Sequence, residues 1–297
     1  MRRLLIIGCG DVALRALAQL RERYRIYVLT RTRERAPLLR THGVVPIIGD
    51  LDNQASLDGL AGIAHDVLHS APPPHHGTRD TRTAHLIAAL AKGKSLPQQL
   101  VYISTSGVYG DCAGAWVDET RAPRPQTQRA ERRVDAERQL RAWGKRSGVR
   151  VSILRAPGIY SERRLPLARL EAGMPAIRSV EDGYSNHVHA EDLARMVIAA
   201  LRFGHAGRMY NASDDSMLKV GDYFDLVADR CGLPRPPRVS RAEASQRISP
   251  TTWTFMNESR RLSNRRIKEE LRFKLRFPTV GEGIAAFLAG DGTEAGR

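Results

Sequence analysis

The chain has 297 residues, with 47 Lys and Arg against 32 Asp and Glu, which gives a formal net charge of +15 at pH 7. With 42% hydrophobic and 27% charged residues, it is too apolar for a disordered protein, and its length predicts one large or two ordinary domains. No stretch approaches the ~20 apolar residues of a membrane span. The widely spaced Cys9, Cys112 and Cys231 fit neither a disulfide framework nor a zinc motif. We therefore expect a reduced, cytoplasmic protein without a metal site or a membrane partner.

Short apolar runs alternate with helix-length segments over the first 156 residues. The predicted strands are residues 4–8, 25–30, 44–48, 64–70, 100–104 and 149–154. The predicted helices are residues 12–23, 33–41, 54–61, 81–91 and 129–147, the last of them after a long loop rich in Pro and Arg. This alternation is typical of an α/β protein with a Rossmann-type doubly wound parallel sheet and helices on both faces.

The alternation loosens after residue 156. We expect one more strand at residues 208–212, helices at residues 165–172, 191–203, 222–231, 264–271 and 281–288, and disorder in the polar residues 290–297. The chain should therefore divide into two parts. Residues 1–156, with 186–213 returning to them, should form the Rossmann core, and residues 157–185 and 214–290 a smaller C-terminal lobe.

The first predicted strand ends in a glycine-rich turn, Gly8-Cys9-Gly10-Asp11-Val12-Ala13. One glycine allows a tight turn, a second lets a pyrophosphate approach the backbone at a helix N-terminus, and a small third residue lets helix and strand pack closely. Because the turn follows a strand and opens a helix, it has the context that a dinucleotide site requires. Gly8, Gly10, Asp11, Val12 and Ala13 are therefore candidate cofactor-binding residues.

The end of the second predicted strand indicates which dinucleotide binds. An acidic residue there would hydrogen-bond the ribose 2′-hydroxyl of NAD, but the sequence reads Thr30-Arg31-Thr32-Arg33, and Arg35 follows. A guanidinium favours a 2′-phosphate through charge and bidentate hydrogen bonds. We expect NADP as the cofactor, with NAD as the alternative, and Thr30, Arg31 and Arg35 among its contacts.

Several later stretches, together with this turn, resemble the short-chain dehydrogenase/reductase superfamily in its extended, epimerase/dehydratase form. They are Gly49-Asp50-Leu51, Leu68-His69-Ser70-Ala71-Pro72-Pro73, Ser104-Thr105-Ser106-Gly107-Val108-Tyr109-Gly110, Arg155-Ala156-Pro157-Gly158-Ile159-Tyr160 and Asn186-His187-Val188-His189-Ala190-Glu191-Asp192-Leu193. The resemblance covers nearly the whole chain. It implies cofactor contacts from Asp50, Leu51, Ser70, Ala71, Pro72, Pro73, Ser104, Pro157 and Gly158. It also suggests substrate contacts from Ser106, Tyr160 and His187.

The chain departs from the family pattern at the expected catalytic residues. The resemblance implies Thr105 at the active-site strand end, followed on a helix by Tyr-x-x-x-Lys, whose Tyr exchanges a proton with the substrate and whose Lys binds the nicotinamide ribose. Arg129 and Arg133 stand at those two positions. Arg133 can still hold the ribose, whereas Arg129 cannot be the acid or base, because a guanidinium does not titrate near neutral pH. Tyr109 is a further catalytic candidate, although the family keeps a Tyr there for structure.

These features favour an NADP-dependent oxidoreductase or a nucleotide-sugar epimerase/dehydratase-like enzyme with a non-standard proton donor. The alternative is a catalytically silent NADP-binding sensor or scaffold. Of the 47 Lys and Arg residues, 6 are Lys and 47 − 6 = 41 are Arg. These cations would suit a small anionic substrate. Specific nucleic-acid binding is the least favoured function, because no nucleic-acid motif accompanies them. The arginines on helix 129–147 would repel each other across a two-fold axis and so weaken a dimer formed through this helix. We expect a monomer or a homodimer.

Overall fold

Seven parallel strands form the central sheet of the computed structural model, which describes residues 1–290. The strands of the structure are β1 (Arg2–Ile7), β2 (Tyr24–Thr30), β3 (Val45–Ile48), β4 (Asp66–His69), β5 (Gln99–Thr105), β6 (Trp116–Val117), β7 (Arg150–Ala156), β8 (Gly158–Tyr160), β9 (Ala176–Ile177), β10 (Tyr184–Ser185), β11 (His187–His189), β12 (Arg208–Asn211), β13 (Leu218–Lys219), β14 (Arg238–Val239) and β15 (Arg261–Leu262). The helices are α1 (Asp11–Arg21), α2 (Arg35–Thr41), α3 (Thr81–Ala91), α4 (Gln128–Ser147), α5 (Leu167–Glu171), α6 (Ala190–Phe203), α7 (Val220–Cys231), α8 (Arg241–Arg247), α9 (Pro250–Met256), α10 (Arg265–Glu270) and α11 (Val280–Leu288). The sheet order is β12-β7-β5-β4-β1-β2-β3.

Burial on both faces explains why the central strands are apolar runs without alternation. In β1, the four residues Leu4–Ile7 are all 0% exposed. One hydrophobic cluster joins α1 and α6 to one face of the sheet, and a second joins α3 and α4 to the other. The predicted α/β fold with a Rossmann-type, doubly wound parallel sheet is therefore confirmed.

The predicted strands and helices are present, and their ends shift by at most two residues. One differs in type, since Gln54–Leu60 is a 3-10 helix. The elements that the sequence did not indicate include strands of two or three residues, which are too short to show a pattern. Of the segment expected to be disordered, residues 291–297 lie outside the described residues. Within residues 1–290, none of the helices has the length and apolar character that a membrane span requires.

A third hydrophobic cluster forms the core of the C-terminal lobe. It draws on residues 160–177 and 220–284, and α7 lies at its centre. One part of the predicted lobe packs elsewhere, because Ile267, Leu271 and Phe273 join the cluster of α1 and α6. The segment around α10 therefore belongs with the Rossmann core in packing terms, and the remaining boundaries between the two parts stay predictions.

Candidate active site

The glycine-rich turn between β1 and α1 has the shape that a pyrophosphate needs. Gly8 has a φ of +89°, and a Cβ on it would lie 2.5 Å from the backbone nitrogen of Ala71, so the position requires glycine. Gly10 precedes α1, whose start receives no side-chain cap from the described residues, and a Cβ on Gly10 would meet nothing within 4 Å. The first N–H groups of α1 therefore lie beside open space, where an anion can accept their hydrogen bonds.

The side chains of the three residues after Gly10 pack in the core or bond to arginines. Val12 and Ala13 are 8% and 1% exposed and belong to the core. The carboxylate of Asp11 accepts a hydrogen bond from Arg15 at 2.8 Å and lies 3.3 Å from the guanidinium of Arg164. Any contact of Val12 or Ala13 with a cofactor therefore comes from the backbone.

An arginine beside the end of β2 is turned toward the glycine-rich turn. Thr30, the last residue of β2, is 5% exposed, and Arg31 follows it at the surface. Nη2 of Arg35 donates to the carbonyl of Cys9 at 3.2 Å, which places this guanidinium against the turn. The two arginines fit the charge of an added 2′-phosphate, and their contact with one stays a prediction.

The residues expected at the ends of β3 and β4 lie along the same edge of the sheet. The hydroxyl of Ser70 donates to the carbonyl of Gly8 at 2.5 Å and so ties the β4 end to the turn. Leu51 is 7% exposed, and the carboxylate of Asp50 accepts from the backbone of Asp52 at 3.0 Å. The strands β1, β3 and β4 belong to one sheet, so the loops that follow them share its carboxyl edge, as a dinucleotide site requires.

An arginine that sequence reasoning missed joins two of these loops. Arg82, on α3, donates to the carboxylate of Asp52 at 2.7 and 2.6 Å. It also donates to the carbonyls of Pro72 and Pro73 at 3.1 and 3.3 Å. The guanidinium lowers the pKa of Asp52. Arg82 therefore holds the loop after β3 beside the loop after β4, a contact that no local pattern in the sequence reveals.

A cleft of about 740 Å³ opens at the carboxyl ends of β5 and β7, between the core and the lobe. Its core side includes Thr105, Ser106, Pro157 and Gly158, all of which the sequence had placed at the site. The hydroxyl oxygen of Thr105 accepts from the backbone N–H of Gly107 at 3.2 Å, which leaves its proton available to a ligand. Within residues 1–290, no group of three or more His, Cys, Asp or Glu is arranged to hold a metal ion.

His187 contributes a neutral imidazole to this cleft. The residue is 5% exposed, and its ring stacks on that of Tyr223 with 4.2 Å between the centroids. Burial lowers the pKa of His187 to about 3, so the ring is uncharged at neutral pH. The imidazole can therefore hydrogen-bond a ligand, but its pKa is far from the value that suits a general acid or base at pH 7.

The two arginines at the expected Tyr and Lys positions differ in their surroundings. Arg129 lines the cleft, where partial desolvation and the charges of Arg133 and Arg132 lower the pKa of its guanidinium. Arg133 is 9% exposed, and its Nη1 donates to the hydroxyl of Tyr102 at 2.8 Å and to the carbonyl of Ile103 at 2.9 Å. Arg133 thus supports β5 from within, and its contact with a ribose stays a prediction.

Comparison with known proteins agrees with this geometry. The sequence model of the NAD dependent epimerase/dehydratase family matches residues 8–213, from the glycine-rich turn to two residues beyond β12. The chain belongs to this family. No functionally curated protein is similar enough in sequence to count as a match.

Solved structures of similar fold cover almost the whole of this epimerase/dehydratase family member. A functionally unknown conserved protein from Silicibacter pomeroyi is 28% identical, with a TM-score of 0.78 over 98% of this chain and 99% of that one. The dTDP-glucose 4,6-dehydratase DesIV from Streptomyces venezuelae, a double mutant with NAD and DAU bound, is 19% identical, with a TM-score of 0.73 over 98% of both chains. The UDP-N-acetylglucosamine 4-epimerase from Bacillus cereus is 16% identical, with a TM-score of 0.70 over 98% and 100% of the two chains. The last two likenesses show the shared fold.

Two tyrosines of the family member lie outside the cleft and correct the sequence-based assignments. Tyr109 is 1% exposed, its hydroxyl donates to Asn211 at 2.8 Å, and burial raises its pKa to about 12. Tyr160 is also 1% exposed, and its hydroxyl donates to the carbonyl of Thr279 at 3.3 Å. The side chain of Tyr109 is therefore engaged in the interior and does not line the cleft, and Tyr160 packs in the lobe core and does not line it either.

The side chain of Ser104 belongs to a buried ionic cluster, and the expected contact of this residue with the cofactor stays a prediction. Its hydroxyl donates to the carboxylate of Glu137 at 2.6 Å. The same carboxylate accepts two hydrogen bonds from Arg155, at 3.1 and 2.6 Å, and the three residues are 4%, 3% and 1% exposed. The cluster joins β5, β7 and α4 just behind the strand ends that carry the cleft residues.

The lobe side of the cleft contains residues that sequence reasoning missed. They include Arg164, Tyr184, Tyr223, Glu258 and Arg260. Arg260 pairs with Glu258 at 2.7 Å and donates to the carbonyl of Gly110, also at 2.7 Å. No local pattern in the sequence shows which of these side chains face the cleft.

Proposed function

We propose that this protein is an NADP-dependent oxidoreductase that acts on a small anionic substrate in the cleft. The observation that carries the proposal is the common edge of the sheet. The glycine-rich turn follows β1, and Thr105 ends β5, two strands along from β1. A dinucleotide whose pyrophosphate lies at α1 would extend along this edge toward Thr105 and the cleft. The S. venezuelae dehydratase of the same fold was solved with NAD bound, which supports a dinucleotide at this edge.

The arginines near β2 favour NADP over NAD. Arg31 is exposed at the strand end, and Arg35 is held against the turn by its hydrogen bond to Cys9. A 2′-phosphate accepts bidentate hydrogen bonds from such guanidinium groups. The nearby carboxylate of Asp52 is already bonded to Arg82, so it does not oppose the phosphate with a free charge.

The charges around the cleft favour an anionic substrate. Arg129, Arg164 and Arg260 line it. Burial, together with the charges of Arg133 and Arg132, lowers the pKa of Arg129, and a bound anion would stabilise its cation. A nucleotide sugar carries suitable charge, and the names of two structural neighbours refer to substrates of this kind.

The residues of the cleft divide the chemistry as follows. A bound nicotinamide supplies or removes a hydride, so a carbonyl oxygen in the reducing direction must gain one proton. Thr105 can donate a hydrogen bond to that oxygen. Its hydroxyl is the acceptor in the bond with the N–H of Gly107, so that bond does not use the hydroxyl proton. Arg129 stabilises negative charge on the substrate without exchanging a proton, and His187 offers a neutral hydrogen-bonding partner. The proton itself then comes from solvent that reaches the cleft or from a substrate group.

Cofactor preference tests the first part of the proposal. Titration calorimetry should show NADPH binding at least about tenfold more tightly than NADH, which corresponds to one charge-assisted contact. The double variant Arg31→Ala/Arg35→Ala should lose that preference and still bind NADH. Arg40→Ala, at an exposed position on α2, is the matched control and should keep it. Equal affinities of the parent for NADPH and NADH would contradict the NADP assignment. Absence of binding by either cofactor would contradict the proposed function.

A second candidate function is a silent NADP-binding sensor or scaffold. It is favoured by Arg129 at the expected proton-donor position and by the burial of Tyr109. Transfer of deuterium from C4-deuterated NADPH to a panel of keto acids and keto sugar nucleotides, followed by mass spectrometry, separates the two functions. The oxidoreductase predicts labelled product, which Thr105→Ala should reduce by about 10²-fold in kcat. Tight NADPH binding with no label in any product would favour the sensor.

A further inference from the structure

A second cavity, which we name the arginine pocket, lies at the β12 edge of the sheet. It has a volume of about 420 Å³, and its lining includes Arg121, Arg138, Arg141, Arg155, Arg208 and Arg266. It shares no lining residue with the cleft described above. The pocket is therefore separate from the proposed substrate site.

Three of its arginines are already paired with carboxylates. Arg155 holds Glu137 at 2.6 Å, and Nε of Arg266 lies 3.5 Å from Glu119. These two carboxylates line the pocket and are 3% and 4% exposed. Arg208 pairs with Glu270, at 2.5 Å. The two carboxylates that line the pocket, Glu119 and Glu137, are thus already paired with arginines.

The other three arginines have no such partner. Arg121, Arg138 and Arg141 are exposed, and within residues 1–290 their side chains make no hydrogen bond or ion pair. Arg138 and Arg141 are three residues apart on α4 and so share one face of that helix. Arg121 reaches the same cavity from the loop after β6. Three unpaired cations therefore converge on one concave surface.

We propose that the arginine pocket binds a small molecule that carries a diphosphate group. Each guanidinium can donate two parallel hydrogen bonds to phosphate oxygens, and several adjacent guanidinium groups suit an anion with several closely spaced charges. A single carboxylate would leave two of the three cations uncompensated. The small volume suits a compact anion.

Titration calorimetry with inorganic pyrophosphate tests this site. The protein is kept saturated with NADP⁺, so that the glycine-rich turn is occupied, in buffer of physiological ionic strength. The parent should show saturable binding at the arginine pocket, in addition to any binding in the cleft. The double variant Arg138→Ala/Arg141→Ala should weaken it by at least about tenfold, the loss expected for one or two charge-assisted hydrogen bonds. Lys145→Ala/Arg146→Ala removes the same charge from exposed positions on the same helix that do not line the pocket, and it should change the affinity by less than about twofold.

Several outcomes would overturn the proposal. Equal losses in the two double variants would mean general attraction to a cationic surface. Loss of pyrophosphate binding in Arg35→Ala would place the anion at the cofactor turn. Absence of saturable pyrophosphate binding by the parent would rule out the site. The proposal would also fail if the protein bound an RNA oligonucleotide through Arg138 and Arg141 and did not bind pyrophosphate.

Discussion

The stability of this protein should carry a pH dependence that comes from Asp214. This carboxyl is 4% exposed, and burial, together with the charges of Asp215 and Asp192, raises its pKa to about 8 although Ser216 donates to it. In the unfolded chain an aspartate titrates near 3.9. Between these values the folded state holds a proton that the unfolded state has lost, so stability falls as the pH rises, by ~1.4 kcal/mol per pH unit. Over about four units the loss amounts to ~5 kcal/mol.

Buried histidines change the stability with pH in the opposite direction. The contribution of Asp214 must therefore be isolated by comparing a variant with the parent. Burial lowers the pKa values of His69 and His187 to about 3 and that of His189 to about 4. Each is neutral in the folded state and protonated in the unfolded state below about pH 6.5, so each costs stability as the pH falls below that value. Asp214→Asn removes only the carboxyl contribution and keeps the acceptor oxygen for Ser216.

Urea unfolding at intervals from about pH 5 to about pH 8 provides the assay. The free energy of unfolding of Asp214→Asn, minus that of the parent, should rise by ~1.4 kcal/mol per pH unit. The slope is diagnostic because any packing cost of the amide shifts the difference equally at every pH. Asp58→Asn, an exposed aspartate on the 3-10 helix after β3, is the control and should give a flat difference. A flat difference for Asp214→Asn would refute the reasoning.

Three further substitutions test other parts of the structure. Glu137→Gln leaves the guanidinium of Arg155 buried without its counter-ion and should lower the free energy of unfolding in urea by about 3–5 kcal/mol; a loss below about 1 kcal/mol would show that the pair is solvated. Tyr109→Phe removes the hydrogen bond to Asn211 and should cost about 1 kcal/mol in the same assay while NADPH-dependent turnover stays unchanged; loss of turnover would restore Tyr109 as a catalytic residue. Gly10→Ala should keep the thermal unfolding temperature and weaken NADPH by at least about tenfold, measured by calorimetry, because its Cβ enters the space assigned to the pyrophosphate; unchanged affinity would move the cofactor elsewhere.

The Rossmann core could be predicted from the sequence because its signals are local. A parallel strand buried on both faces is a continuous apolar run, as in Leu4–Ile7, and the glycine-rich turn is contiguous in the chain. The positions of Thr105, Pro157 and Gly158 at the cleft followed from motifs at strand ends.

Contacts between distant segments could not be predicted in the same way. The hydroxyl of Tyr109 finds its acceptor 102 residues away, on Asn211, and Ser104 meets Glu137 33 residues later. Both side chains have the chemistry of an active site, and only the packed structure shows that partners in the interior already use them. The lobe is harder still, because its strands of two residues pair segments far apart in the chain, as β9 does with β14.

The buried pair of Arg155 and Glu137 has a consequence for how the sequence can change over generations. Loss of either charge alone strands the other in the interior, whereas replacement of both by apolar residues of similar volume can be nearly neutral. Mutational drift at these two positions should therefore be correlated, with paired exchanges accepted and single exchanges removed. Since Ser104 donates to the same carboxylate, a hydroxyl at position 104 should be selected only in chains that keep the acid at position 137.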